Sequence, residues 1–172
     1  MTKILYLISC AAPSARSVAM GISKAQAAGW DVCLVVTPST HRWLEPDLAD
    51  LRELTGHPVR HEYKLPDAAD VLPPPDAILV APATFNTPNK WAAGISDTLA
   101  LGLVTEAIGI ELPLVALPYL NRAQAAYPAL GRTVASLREC GVNVLLGEGG
   151  FVPHVPKQGD VDAYPWDAAL PA

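Results

Sequence analysis

Apolar residues gather in short runs at Ile4–Ile8, Val32–Val36, Ile78–Ala81, Leu114–Leu117 and Val142–Leu146. Each run has strand length, and its near-continuous Val, Ile and Leu content is that of a strand covered on both faces, the mark of a parallel sheet. Helical patterns fall between them. Ser14–Ala28 opens on Ser and stops at Gly29, Thr87–Ile108 is long and Ala-rich with a break expected near Gly94 or Gly102, and Arg122–Glu139 ends before Gly141. Alternation of this kind predicts βαβ units with right-handed crossovers. The expected fold class is therefore α/β: a three-layer doubly wound parallel sheet, with ligands at the carboxyl ends of the strands where the winding reverses.

Two stretches break the pattern. Leu65–Pro75 carries Pro66 and Pro73-Pro74-Pro75, so it is expected as a connector over the surface. The tail after Gly147 is rich in Gly and Pro, which predicts a single domain over 1–147 and an extended arm over 148–172. Phe151, Tyr164 and Trp166 are costly to leave in water, so the arm is expected to close over a site or to reach a neighbouring subunit.

Composition narrows the function. With 172 residues, 51% hydrophobic and 17% charged, the chain can bury one proper core and is not a disordered sequence. The net charge of -5 and the absence of a Lys/Arg cluster argue against nucleic acid and anionic lipid as partners. No targeting or membrane-spanning pattern is seen, so a cytoplasmic protein is expected. Cys10, Cys33 and Cys140 are odd in number and widely spaced, which predicts reduced thiols with neither a disulfide framework nor a metal site. Cys140, at a helix end, reads as a buried structural thiol.

The predicted strand ends bring four loops to one sheet edge: Ser9–Ser14, Thr37–His41, Pro82–Asn89 and Pro118–Arg122. In the first, Ser9, Cys10 and Ser14 lead into a helix start, where free N–H groups and the dipole favour a phosphate. A helix-start Ser is also a common N-cap. No GxGxxG is present, which disfavours a dinucleotide. The second loop, with Thr37 and Ser39, repeats the hydroxyl theme. The third, Ala83-Thr84-Phe85-Asn86, offers donors and acceptors for the edge of a planar ring and an aromatic side chain to pack on it. Capping of the next helix by Asn86 or Thr87 is the alternative.

These residues resemble the homo-oligomeric flavin-containing cysteine decarboxylases. That family's signature loop reads PASANT, and Pro82–Thr87 reads PATFNT; its following KxAxGIxDxL helix is matched by Lys90–Leu99. Its PxMN turn corresponds to Pro118-Tyr119-Leu120-Asn121, followed by Pro128-Ala129 and Leu137…Gly141. The resemblance spans about residues 3 to 147 and implies a Rossmann-like FMN protein assembled as trimers. By position, Ser9, Cys10, Ser14, Thr37 and Ser39 would lie on the phosphate side. Ala83, Thr84, Phe85 and Asn86 would meet the ring or ribityl chain, and Asp97 would support the site from the helix. Asn121 would contact the carboxylate of a small-molecule or peptide thiol substrate. The implied reaction is oxidative decarboxylation of a cysteine carboxylate to an enethiol, the flavin accepting the hydride.

The departures from the family pattern are equally specific. Where the family carries a histidine upstream of the signature loop, this chain has Ala68; His61 and His154 are the remaining candidates for a base, and His41 and His57 read as solvated. Gly147–Gly159 holds no Cys, which favours the peptide branch, whose end product is the enethiol, over the coenzyme A branch. Leu120 replaces the methionine of PxMN. Three other readings remain open: flavin-dependent oxidation without decarboxylation, an FMN-binding subunit without its own activity, and the same fold without flavin.

Overall fold

The computed structural model describes residues 2–170. Five parallel strands, β1 (Lys3–Ser9), β2 (Trp30–Val36), β3 (Ala77–Ala83), β4 (Leu114–Pro118) and β5 (Asn143–Val144), form one sheet in the order β2-β1-β3-β4-β5. The winding reverses between β1 and β3, which opens a crevice at their carboxyl ends.

Strand alternation divides the core in two. Leu5, Leu7, Val32, Leu34, Leu79 and Leu117 face one layer, with Val18 and Ile22 of α1 (Val18–Ala27). Tyr6, Ile8, Cys33, Val35, Ile78 and Val80 face the other, against α5 (Leu99–Gly109) and α7 (Pro128–Glu139). No helix among the described residues is long and apolar enough to cross a membrane.

Several expected elements change on folding. A 3₁₀ turn, Pro13–Ser17, precedes α1, since Pro13 presets a tight first turn. Two helices arise where none was expected: α2 (Pro38–Trp43) and α3 (Leu48–Thr55). The long Ala-rich helix is divided into α4 (Asn86–Ala92) and α5 at Gly94, whose φ of 71° is left-handed; Gly102 stays helical. The last helix is likewise divided, α6 (Arg122–Ala125) and α7 being separated at Pro128.

The arm folds back onto its own chain. Tyr164 and Trp166 are buried in the first core layer, and the Tyr164 hydroxyl donates to the Leu117 carbonyl at 2.6 Å. Its last two residues, 171 and 172, lie outside the described residues. Cys140, expected to be buried, is exposed at the end of α7, while Cys10 and Cys33 are buried.

Candidate active site

The crevice at the ends of β1 and β3 is a cavity of about 870 Å³, within the range of small-molecule and cofactor sites. Cys10, the turn 11–13, Thr37, Pro38 and Ser39 make one wall; Thr84, Phe85, Asn86, Thr87 and Lys90 make another. Leu120, Asn121, Gln124, His154 and Lys157 border the far side. No Asp or Glu lines it, in a chain of net charge -5. Its lining carries two lysines, Lys90 and Lys157, the first paired with Asp97.

Local chemistry sets each side chain. Thr37 caps α2, its hydroxyl accepting from Thr40 N–H at 3.3 Å and lying 2.8 Å from the Thr40 hydroxyl. That engagement leaves Ser39, which accepts from Arg42 Nη2 at 3.3 Å, as the freer hydroxyl of the turn. Cys10 donates its thiol to Thr87 Oγ1 at 3.3 Å, and burial pushes its pKa up, so it stays protonated. No side chain caps α4, and the Asn86 amide makes no hydrogen bond among the described residues. Phe85 stands edge-on to Tyr127, ring centroids 5.7 Å apart.

Asn121 is held by a reciprocal capping box. Its Oδ1 accepts from Gln124 N–H at 2.9 Å, and its own N–H donates to Gln124 Oε1 at 3.0 Å. With the carbonyl oxygen occupied, the side-chain NH₂ is left to donate. Beside it, Arg122 N–H donates to the His154 carbonyl at 2.8 Å, and this short bridge tethers the arm to the site. His154 Nδ1 lies 2.8 Å from the Val155 carbonyl, so Nδ1 carries the proton and Nε2 the lone pair; Nε2 is buried with no partner.

The sequence profile described as Flavoprotein matches residues 22–161. The chain belongs to this family. Over 70 residues it is 34% identical to a cysteine/cysteine sulfinic acid decarboxylase from an unknown prokaryotic organism, a stretch of 41% of this chain and 19% of that protein. It is 33% identical over 70 residues to the coenzyme A biosynthesis bifunctional protein CoaBC of Thermococcus kodakarensis, covering 41% of this chain and 17% of that one. The matched stretch spans less than a fifth of either curated relative. Among solved structures, the FMN-dependent cysteine decarboxylase TvaF from thioviridamide biosynthesis shares 26% identity over 84% of this chain and 90% of its own, with a TM-score of 0.70. The epidermin biosynthesis protein EpiD of Staphylococcus aureus shares the fold at 21% identity, TM-score 0.68, covering 83% of this chain and 81% of its own.

Of the residues picked from this flavoprotein's sequence, Cys10, Thr37, Ser39, Thr84, Phe85, Asn86, Asn121 and His154 line the cavity. Ser9, Ser14 and Ala83 do not: all three are fully buried behind it, with both serine hydroxyls unpartnered. Alternation sends Ser9 to the layer of Leu5 and Leu7, away from Cys10. Asp97 sits in the loop between α4 and α5 rather than on a helix and does not line the cavity; its carboxylate is 2.6 Å from Nζ of Lys90, which does.

His61 lies outside the cavity altogether. Its Nε2 is 2.6 Å from Glu62 Oε1 and its ring stacks on His41 at 3.6 Å, in a separate hollow behind α2. The connector therefore does not fold back to deliver it. Nor are His41 and His57 simply solvated, since His57 Nε2 is 2.8 Å from Asp31 Oδ1. Sequence reasoning missed Gln124 and Lys157 in the lining. Gln124 had a legible signal, the Asn-x-x-Gln spacing of a capping box; Lys157 had none.

Proposed function

We propose that this flavoprotein binds FMN in the β1/β3 crevice and oxidatively decarboxylates a thiol substrate ending in cysteine, releasing an enethiol. What supports the reading most is that residues 84–87 of the signature loop supply one wall of a cavity whose opposite side carries Asn121 and His154, a histidine whose buried Nε2 has no partner among the described residues. The likeness to TvaF, an FMN-dependent cysteine decarboxylase, agrees with it.

The residues fit the cofactor by their donors. Ser39 provides a hydroxyl and Ala11 a backbone N–H for a phosphate, with no carboxylate in the lining to repel it; Arg42 reaches the site only through its bond to the Ser39 hydroxyl. Thr84 and Asn86 supply polar groups, and Phe85, Leu101 and Leu120 apolar surface, for a planar ring. Bound there, FMN supplies an acceptor for the hydride of the cysteine β-carbon.

The protein's own groups do the rest. His154 Nε2, held as the acceptor nitrogen by the Val155 carbonyl, takes the thiol proton. The Asn121 NH₂ donates to the departing carboxylate and orients it. The carboxylate leaves as carbon dioxide, and its electron pair passes to the Cα–Cβ bond and sulfur. In balance, a cysteine carboxylate and oxidised flavin give an enethiol, carbon dioxide and reduced flavin.

The family resemblance supports assembly as a homo-oligomer, a trimer. Purified protein incubated with cysteine-ended peptides is expected to be yellow and to give products about 46 Da lighter, the loss of carbon dioxide and two hydrogens. The altered pattern at Ala68 favours a second reading, an FMN-binding subunit; tight FMN with no mass shift on any thiol would select it over the first.

A further inference from the structure

The arm places one uncommitted cation at the mouth of the cavity. Among the described residues every other lysine has a partner: Lys3 stands over the Trp30 ring at 5.6 Å, Lys24 pairs with Asp167 at 2.7 Å, Lys64 with Asp70 at 3.1 Å, and Lys90 with Asp97 at 2.6 Å. Lys157 lines the cavity with no ion pair, hydrogen bond or ring. Its φ of 64° is left-handed, a conformation that costs an L-residue.

The loop carrying it is anchored at both ends. Phe151 and His154 pack on Tyr119 on one side, centroids 5.2 Å away in each case, and Tyr164 meets Tyr119 at 6.0 Å and Trp166 at 4.9 Å on the other. Between the anchors, Gln158 N–H closes a turn onto the Val155 carbonyl, and Asp160, the nearest acid along the arm, accepts from Asp162 N–H at 3.0 Å.

We propose that Lys157 selects substrates carrying a second anion, namely an acidic side chain on the residue preceding the terminal cysteine. The departing carboxylate is a poor partner for it. A cation paired to that group stabilises the ground state and loses its partner as neutral carbon dioxide forms, which slows the step. A neighbouring acidic side chain keeps its charge throughout, so its pairing contributes to binding without opposing the chemistry. The inference rests on the proposed decarboxylation for its kinetic readout, though not for its binding readout.

Peptides ending in Asp-Cys, Asn-Cys and Lys-Cys, compared on the FMN-loaded enzyme, test it. Wild type is expected to show a KM for Asp-Cys about fivefold below that for Asn-Cys, as one exposed ion pair allows, and a gap that narrows with added salt. In Lys157→Ala the ratio falls to about 1, Lys157→Arg keeps it, and Lys157→Glu reverses the order toward Lys-Cys. Calorimetric Kd values for unreactive Asp-Ser and Asn-Ser peptides carry the same comparison without turnover. Equal Kd for these two, or a Lys157→Ala ratio unchanged from wild type, overturns the assignment, as does a preference only for phosphorylated small thiols. Loss of turnover on every peptide with the Kd preference intact would instead overturn the decarboxylase reading alone.

Discussion

The indole of Trp166 occupies the space that a Cβ on Gly21 would need. An added carbon there would lie 2.5 Å from Cε3 and Cζ3 of the ring. Ring and helix are in direct contact, and Trp166 Nε1 donates to the Ser17 hydroxyl at 3.2 Å while Asp167 pairs with Lys24. This seam holds the arm, and with it His154 and Lys157, in place.

Trp166→Ala is therefore expected to cost about 3–5 kcal/mol as a large-to-small core change, lowering Tm by on the order of 10 °C. Gly21→Ala should cost about 1–3 kcal/mol by overpacking. Combined, the two should cost less than their sum, since removing the ring makes room for the methyl. Thermal melts of the two single variants and the double variant check this.

Gly159 touches the site more directly. A Cβ there would fall 2.3 Å from the Tyr119 hydroxyl and 2.8 Å from His154 Nε2. Gly159→Ala should displace the imidazole and the Tyr119 hydroxyl, costing about 1–3 kcal/mol by overpacking and lowering kcat of the folded enzyme, measurable by mass spectrometry of the product and by thermal melts in parallel.

His154→Gln removes the acceptor nitrogen and should lower kcat by about 10² to 10⁴-fold. His61→Gln, whose ring stacks on His41 behind α2, should leave kcat within about twofold. Steady-state rates on a cysteine-ended peptide separate the two; equal losses would count against His154 as the base.

Ser39→Ala and Asn86→Ala each remove one polar partner from the proposed FMN site. Each is expected to weaken FMN about fivefold, the size of one hydrogen bond. Titration of the apoprotein by flavin fluorescence quenching reports it.

Burial first, then His61 and Arg52, lower the pKa of His41 below 6.5. The unfolded chain thus binds this proton before the folded one does, so stability falls as pH drops below 6.5 and is unaffected above it. Since His41 sits on α2 beside Ser39, acid should loosen the phosphate end of the cavity as well. Thermal melts from pH 7 to 5 should show a smaller decline in His41→Gln than in wild type.

The layered architecture was legible in the chain because strands buried on both faces must be apolar throughout, and Ile4–Ile8, Val32–Val36 and Ile78–Ala81 are. The loop Pro82–Thr87 was legible because a rigid polar segment after a buried strand is a local pattern. The helices at Pro38–Trp43 and Leu48–Thr55 were not, because their polar composition hides a narrow apolar face, Leu48 and Leu51, that acquires meaning only against α1 and β2. Which histidine meets the cavity was likewise a tertiary decision. His61 and His154 are equivalent as residue types, and only the strand-like bridge from Asn121 to His154 and the burial of Trp166 against Gly21 bring the second, with Lys157, to the crevice. Local pattern determines which segments are strands, helices and turns; contacts between residues far apart along the chain, from Asn121 with His154 to Gly21 with Trp166, determine which side chains share a site.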